Sequence, residues 1–292
     1  MKQKMSTQML KKLIWNNQII WHGRIEKMNG EKLTYRPRFY IRPLQNTDVK
    51  EMSILSDKIY QKLKKEEECF IHKHNQSYYE ETLKNPNIHF IGVFVGTQLI
   101  GMSALYVCEN TKALTNEIPG IPNHLLQRYN NTLSGALGGD CVLPAFRGNN
   151  INQSMIAYRM ELAKQMNCQQ VFSIIDRNNH WNMAPYFNNR FKMFASAIDP
   201  SDNGQISLMY HHFDSQTQIA TERIPVSYTQ FEKIDCLLAN GYIGKTYDAP
   251  TQTIIFTREV EMRRMERHNI LKSGKNRIIY QHLMQNKGMF YV

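Results

Sequence analysis

No apolar run among the 292 residues approaches the roughly 20 needed to cross a bilayer as a helix, so no spanning helix is expected. The first residues carry lysines where a signal peptide would keep an unbroken apolar core. Export by that route is not expected, while a signal-independent route stays open. Cysteine is scarce: Cys69, Cys108, Cys141, Cys168 and Cys236 are an odd number with no CxxC pair. That pattern argues against a disulfide framework and against a zinc site of that spacing, and fits buried free thiols in a reducing, cytoplasmic setting. His72, His74 and His89 have no metal-ligand spacing with nearby acids, so no metal is expected.

Acidic residues are also few, with 25 Asp and Glu against 36 Lys and Arg, for a net charge of +11. The imbalance sits at the ends. Residues 1–42 contribute +8 (ten basic, two acidic) and residues 257–292 contribute +5 (eight basic, three acidic), which leaves −2 for the middle. An acidic partner spanning both ends would suit this: nucleic acid, an acyl carrier protein or an anionic membrane surface. Two solvated basic extensions explain it more simply, and no aromatic-basic module of a nucleic-acid binder is present. The apolar fraction of 42% is enough to bury a sizeable core.

Residues 5–15 place Met5, Met9 and Leu13 on one helical face, which predicts a docked terminal helix, with a membrane-surface helix as the alternative. Residues 19–35 read as two short strands around Asn29-Gly30, a tight-turn dipeptide. A strand over 38–44 is followed by Asn46-Thr47-Asp48 as caps for a helix to about residue 63. A helix near 76–84 stops at Asn85-Pro86, and strands at 89–95 and 98–107 flank Gly96-Thr97. Residues 109–130 read as a polar excursion, either a wall of a binding pocket or a surface loop.

The most informative block is 133–191: an apolar strand, a loop, a helix, a second strand and an aromatic-rich helix. After Pro144 comes Arg147-Gly148-Asn149-Asn150-Ile151-Asn152, and then Ile151, Met155, Ile156 and Met160 at helical spacing. Such a loop aims backbone N–H groups and the positive end of a helix at an anion, most often phosphate. Beyond it, a hairpin is predicted over 192–198 and 205–213; His211 and His212 fall on opposite faces of its second strand. Further on, a helix over 229–240 should stop at Gly241, strands at 242–247 and 253–256 could pair, and 258–272 and 276–285 read as basic helices.

The block resembles the GNAT superfamily of acyl-CoA-dependent N-acyltransferases. Arg147, Asn150 and Asn152 fall on that family's pyrophosphate loop, which reads Gln/Arg, two residues, Gly, one residue, Gly/Ala. Asn150 stands for the Gly and Asn is among the few other residues that adopt positive φ; Asn152 stands for Gly/Ala, so its side chain must turn aside or meet the phosphates. One strand later Asn179, Asn182, Tyr186 and Phe191 keep the spacing of the family's late motif, with Asn182 for an Ala and Arg190 for a Gly. The two motifs span about sixty residues in the right order, and the resemblance extends over roughly 39–213.

The resemblance implies an α/β (α+β) fold, a mostly antiparallel mixed sheet flanked by helices. It would comprise a basic N-terminal extension (1–37), the acyltransferase domain (38–213) and a basic C-terminal extension (214–292). It implies transfer of an acetyl or other acyl group from acyl-CoA to an amine, which could be a small molecule or a protein. Asp140 is the candidate base, weighed against a surface Asp at a strand end, and Tyr186 the candidate acid, weighed against a packed aromatic. The main-chain N–H of Val142 or Leu143 would polarise the carbonyl. Arg147, Gly148, Asn149, Asn150, Ile151, Asn152 and Asn179 would hold the cofactor, whose arm would lie between the fourth and fifth core strands. Two alternatives remain: a carrier-protein-dependent acyltransferase docking its donor on the basic ends, and a degenerate fold serving as a scaffold, favoured by Asn150, Asn152 and Arg190. Residues 214–292 could cover the site, form a homodimer interface or bind the acidic partner.

Overall fold

The computed structural model describes residues 21–65, 67, 73–121, 132–199, 203–213 and 219–260. In chain order these form β1 (Trp21–Arg24), β2 (Lys27–Met28), β3 (Glu31–Lys32), β4 (Arg38–Pro43), α1 (Val49–Tyr60), α2 (Gln76–Thr82), β5 (Ile88–Val95), β6 (Gln98–Cys108), α3 (Thr111–Glu117) and β7 (Ser134–Val142). They continue with α4 (Ile151–Gln165), β8 (Gln170–Asp176), α5 (Met183–Asn188), β9 (Lys192–Ile198), β10 (Gln205–His212), β11 (Ile219–Ser227), α6 (Phe231–Ala239), β12 (Tyr242–Asp248) and β13 (Thr253–Val260). One eleven-stranded sheet runs β1-β4-β5-β6-β7-β8-β10-β9-β12-β13-β11, and β2–β3 form a separate hairpin turning at Asn29-Gly30. Every described pairing is antiparallel except β7 with β8.

The central strands are buried on both faces, which explains their near-continuous apolar runs. In β5, Phe90 and Phe94 join the cluster under α1 and α2, whereas Ile91 and Val93 face the cluster under α4. Helix α1 buries Val49, Met52, Leu55 and Ile59 at the spacing of one helical stripe. Its start is fixed by Arg42, whose Nη1 and Nη2 each donate to the Asp48 carboxylate, at 2.7 and 2.6 Å. Helix α4 buries Ile151, Met155, Ile156 and Met160 against the other face, so helices flank the sheet on both sides.

Several expectations are corrected. The 109–130 excursion begins with α3, because Asn110 caps it through the Ala113 N–H (2.9 Å) and Leu114 and Ile118 are buried. Arg258 continues β13, which runs to Val260, so no helix starts there; Ile254 and Phe256 are buried and the strand pairs with both β11 and β12. Strand β11 had no counterpart in the sequence reading. Its Pro225 hid it, since proline is tolerated in strands mainly at edges, and β11 is the edge of this sheet. The predicted helices at 5–15 and 276–285, as well as Cys69 and His72, lie outside the described residues. Cys108, Cys141 and Cys168 are buried free thiols, and Cys236 is free and exposed.

Arg190, in the place of a family glycine, has φ +65°. The left-handed conformation costs a residue with a Cβ about 1–2 kcal/mol, partly offset by the extra freedom a glycine has when unfolded. Arg190→Gly is therefore expected to raise stability by up to about 1 kcal/mol, read as a higher denaturant midpoint with an unchanged slope. A lower midpoint would mean that the Arg190 side chain stabilises the turn by more than the strain.

Candidate active site

The only parallel pair of strands among the described residues opens into a cleft. Strands β7 and β8 are in register over Ser134–Leu137 with Gln170–Ser173. Beyond Leu137, β7 stays paired with β6 while β8 continues with β10, so their facing edges are free of each other. Leu143 donates its N–H to the Ile100 carbonyl at 2.8 Å and is not available to a ligand. Val142, opposite Gly101, precedes it by one residue, and alternation in an antiparallel ladder turns the Val142 N–H toward the open edge.

The loop after β7 delivers a helix end to the same cleft. Gly148 has φ +80° and Asn150 φ +55°, so Asn150 takes the left-handed conformation required at the head of α4. Its side chain makes no capping bond, and the first α4 turn is joined to it only by Ser154 N–H to Asn150 O (3.0 Å). The preceding N–H groups have no partner within the helix and carry its positive dipole end. Arg147 is exposed beside them, its Nε 3.3 Å from the Val142 carbonyl. Asn152 does turn aside: its Nδ2 donates to the Asn182 Oδ1 at 3.0 Å, tying α4 to the segment before α5. The Asn149 side chain is used elsewhere, accepting from the Glu26 and Lys27 N–H groups (2.7 and 2.9 Å) and donating to the Lys27 and Phe146 carbonyls, which pins the N-terminal hairpin under the loop.

A bulge places the acid. Met102 faces Cys141 and Ala104 faces Gly138, so Ser103 alone opposes Gly139 and Asp140, with Gly139 at φ +65°. Without the extra residue, alternation from Leu137 would put Asp140 on the α1 side of the sheet. With it, Asp140 points to α4, where its Oδ1 lies 2.5 Å from Arg159 Nη2. The Arg159 side chain is 0% exposed and that of Asp140 9%. Arg159 also donates to the Ala104 carbonyl (2.9 Å) and the Gly138 carbonyl (3.3 Å), across β6 and β7. Tyr186 Oη donates to Asp140 Oδ2 (2.9 Å) and accepts from Ser173 Oγ of β8 (2.8 Å). Burial and the nearby Asp140 carboxylate push the Tyr186 hydroxyl well above its usual range, so it keeps its proton. Burial also raises the Asp140 carboxyl, opposed by Arg159 and by the Tyr186 hydroxyl.

The cleft has two chambers. One of about 600 Å³ is lined by Val142, Arg147, Asn150, Asn152 and the half-turn from Asn179 to Asn182, with the 74% exposed Trp181 at its rim. A second, of about 250 Å³, lies toward α1, α2 and β10. Asp140, Cys141, Asn179 and Asn182 line both and mark the junction. Burial pushes the Cys141 thiol up to about 12, so it is not a thiolate at neutral pH. The C-terminal elements buttress this region. Asp235 of α6 pairs with the buried Arg177 at the end of β8, and Tyr228 Oη donates to the Arg177 carbonyl.

Thus Asp140, Tyr186, Val142, Arg147, Asn150, Ile151, Asn152 and Asn179 come together around one cleft, while Leu143 and the Asn149 side chain are engaged elsewhere. Sequence reasoning missed Arg159 and Ser173. Arg159 left a trace: it stands three and four residues after Ile156 and Met155, a lone cation inside the apolar stripe of α4. Among the described residues no group of three or more His, Cys, Asp or Glu could hold a metal, and no helix is long and apolar enough to cross a membrane.

Solved structures of related shape include Arabidopsis thaliana NAA60 in complex with acetyl-CoA (10% identity, TM-score 0.45, 61% of this chain and 99% of that one). Another is an N-acetyltransferase from Staphylococcus aureus Mu50 (15%, 0.42, 60% and 97%). A third is an acetyltransferase from Salmonella typhimurium that modifies the N-terminal serine of ribosomal protein L7/L12 (10%, 0.43, 60% and 95%). No curated protein matches the sequence. The model of the Acetyltransferase (GNAT) family matches residues 56–186, a stretch that holds the α4 loop, Asp140, Asn179 and Tyr186. Residues 56–186 therefore resemble the acetyltransferases of the GNAT family.

Proposed function

We propose that this protein is an N-acyltransferase that moves an acetyl or other acyl group from acyl-CoA to an amine. The observation that carries the reading is the free edge of β7 leading directly to the uncapped head of α4. The residues present fit such a donor. The α4 N–H groups and Arg147 offer a seat for a pyrophosphate, and the edge of β7 offers backbone partners to the amide-bearing arm. Bound there, the thioester supplies an activated acyl carbon.

The Val142 N–H is aimed to donate a hydrogen bond to the carbonyl oxygen as charge grows on it. At the junction of the chambers, Asp140 Oδ2 takes a proton from the attacking amine, and Tyr186 gives its own proton toward the departing sulfur while recovering one from Asp140. The proton count closes: one leaves nitrogen and one arrives at sulfur. Tyr186 on its own is too weak an acid for a thiol that titrates near ~8.5, so the proton that Asp140 takes from the amine and returns to it is what makes it competent. Cys141, a neutral thiol, favours direct transfer over a cysteine acyl intermediate.

The test is thermal unfolding with acetyl-CoA, CoA and a longer acyl-CoA. Ligand at about one hundred times its dissociation constant adds roughly 2.7 kcal/mol, a shift of several degrees, and Arg147→Glu should abolish most of it. Absence of a shift with every thioester would overturn the reading and direct the search to carrier proteins.

A further inference from the structure

The smaller chamber has the chemistry of a cation site in a chain of net charge +11. Glu117, Asp140, Asp176 and Asp199 all line it, and no Lys or Arg does among the described residues. Three elements supply these carboxylates besides β7: Glu117 ends α3, Asp176 ends β8 and Asp199 follows β9. The Glu117 side chain forms no hydrogen bond or ion pair with the described residues, whereas Asp140 is paired with Arg159 and Asp176 accepts the Asn178 N–H at 2.7 Å. The carboxylates do not stand alone, because they wall a cavity whose inner end is the Asp140 junction where transfer would occur. Part of the remaining wall is aromatic, beside His74, which stacks on Tyr78, and aliphatic residues such as Ile59, Ile174 and Ile206. Tyr78, Tyr79 and Phe90 make successive edge contacts (ring centroids 5.4 and 5.8 Å), and Tyr106 lies beside them. Aromatic faces and carboxylates together recognise ammonium groups, and neither recognises a carboxylate or phosphate.

We propose that this chamber holds the acceptor, and that it selects a small amine bearing a second positive charge, a diamine or polyamine. One amino group sits at Asp140 to be acylated; the other, still protonated, lies between the carboxylates and the tyrosine faces. The proposal rests on the acyltransferase reading for the location of the reacting end. Its volume of about 250 Å³ suits a short aliphatic chain better than a folded protein terminus.

A matched set of probes separates the possibilities: 1,4-diaminobutane, 1-aminobutane and 4-aminobutanoate share a chain and differ in the charge at the far end. Calorimetric titration into the full chain, with and without CoA, should show diaminobutane binding at least about tenfold more tightly than either of the others, as hydrogen bonds to a charged group allow. Acetylation with acetyl-CoA should rank the three in the same order by kcat/KM. Glu117→Gln should reduce the preference several-fold while leaving the thermal shift by acetyl-CoA unchanged. Equal affinity for diaminobutane and aminobutane, or a preference for aminobutanoate, would overturn the inference. A chain that binds diaminobutane selectively but shows no shift with acetyl-CoA would instead overturn the acyltransferase reading and leave a cation-binding cavity; an acetyl-CoA shift without charge selectivity would do the reverse.

Discussion

Arg159→Met is expected to lower the stability of the protein by about 3–5 kcal/mol at neutral pH, because it strands the Asp140 carboxylate inside the sheet-helix interface without its counter-ion. The loss should be larger than that of the double variant Arg159→Met/Asp140→Asn, in which no buried charge is left over. The deficit should also depend on pH with a defined sign. Without the guanidinium, burial holds the Asp140 carboxyl further above its unfolded value near ~3.9. A carboxyl raised in the folded state binds its proton more tightly there than in the unfolded chain. It therefore contributes stability below the unfolded pKa that is lost as pH rises through the folded one. Relative to the wild type at the same pH, Arg159→Met should thus be least harmed near pH 4 and progressively more harmed toward pH 8. Urea unfolding of the three proteins across that range checks this. A pH-independent deficit, or a double variant as unstable as the single one, would mean that Arg159 acts through its bonds to the Ala104 and Gly138 carbonyls rather than through its charge.

That network shows where the sequence was legible and where it was not. Apart from α3, the strands and helices from 38 to 213 follow from periodicity and capping, since each apolar stripe has one partner face and one-dimensional spacing encodes it. Asn150 could be assigned a left-handed backbone in advance because few residue types accept it, and the same constraint makes Arg190 visible as a strained position. Asp140 could be named from its place in the chain, yet its direction could not. A single bulge at Gly139 reverses the face it occupies, and a bulge is a relation between two strands that neither strand carries alone. The same holds for Leu143 and Val142: only the register with Ile100 and Gly101 tells which N–H is used by the ladder and which faces the cleft. Strand β11 escaped because its proline argues against a strand unless the strand is known to lie at the edge.

Tyr186→Phe is expected to lower kcat by about a hundredfold or more, within the range of a lost general acid, while the thermal shift produced by acetyl-CoA stays nearly as large as in the wild type. The ring itself should be tolerated, since Tyr186 is buried against Phe191 in an edge contact (5.1 Å between centroids) that phenylalanine reproduces. Only two hydrogen bonds go with the hydroxyl. Ser173 Oγ keeps an alternative acceptor in the Leu137 carbonyl at 3.1 Å, so the stability cost falls mainly on Asp140 Oδ2 and should be about 1–3 kcal/mol. This contrast with Arg159→Met is diagnostic: one variant is mostly a folding lesion, the other mostly a kinetic one. The pH profile adds a second reading. Asp140 must be ionised to accept the amine proton, so the rate of the wild type should rise with pH through a carboxyl held above the ordinary carboxylate range by burial. If Tyr186 passes that proton on, Tyr186→Phe breaks the path after Asp140, and the residual rate should no longer follow its ionisation. A variant with wild-type turnover, or one that loses acetyl-CoA binding in parallel with turnover, would reduce Tyr186 to a packing residue and leave the sulfur to take its proton from water in the larger chamber.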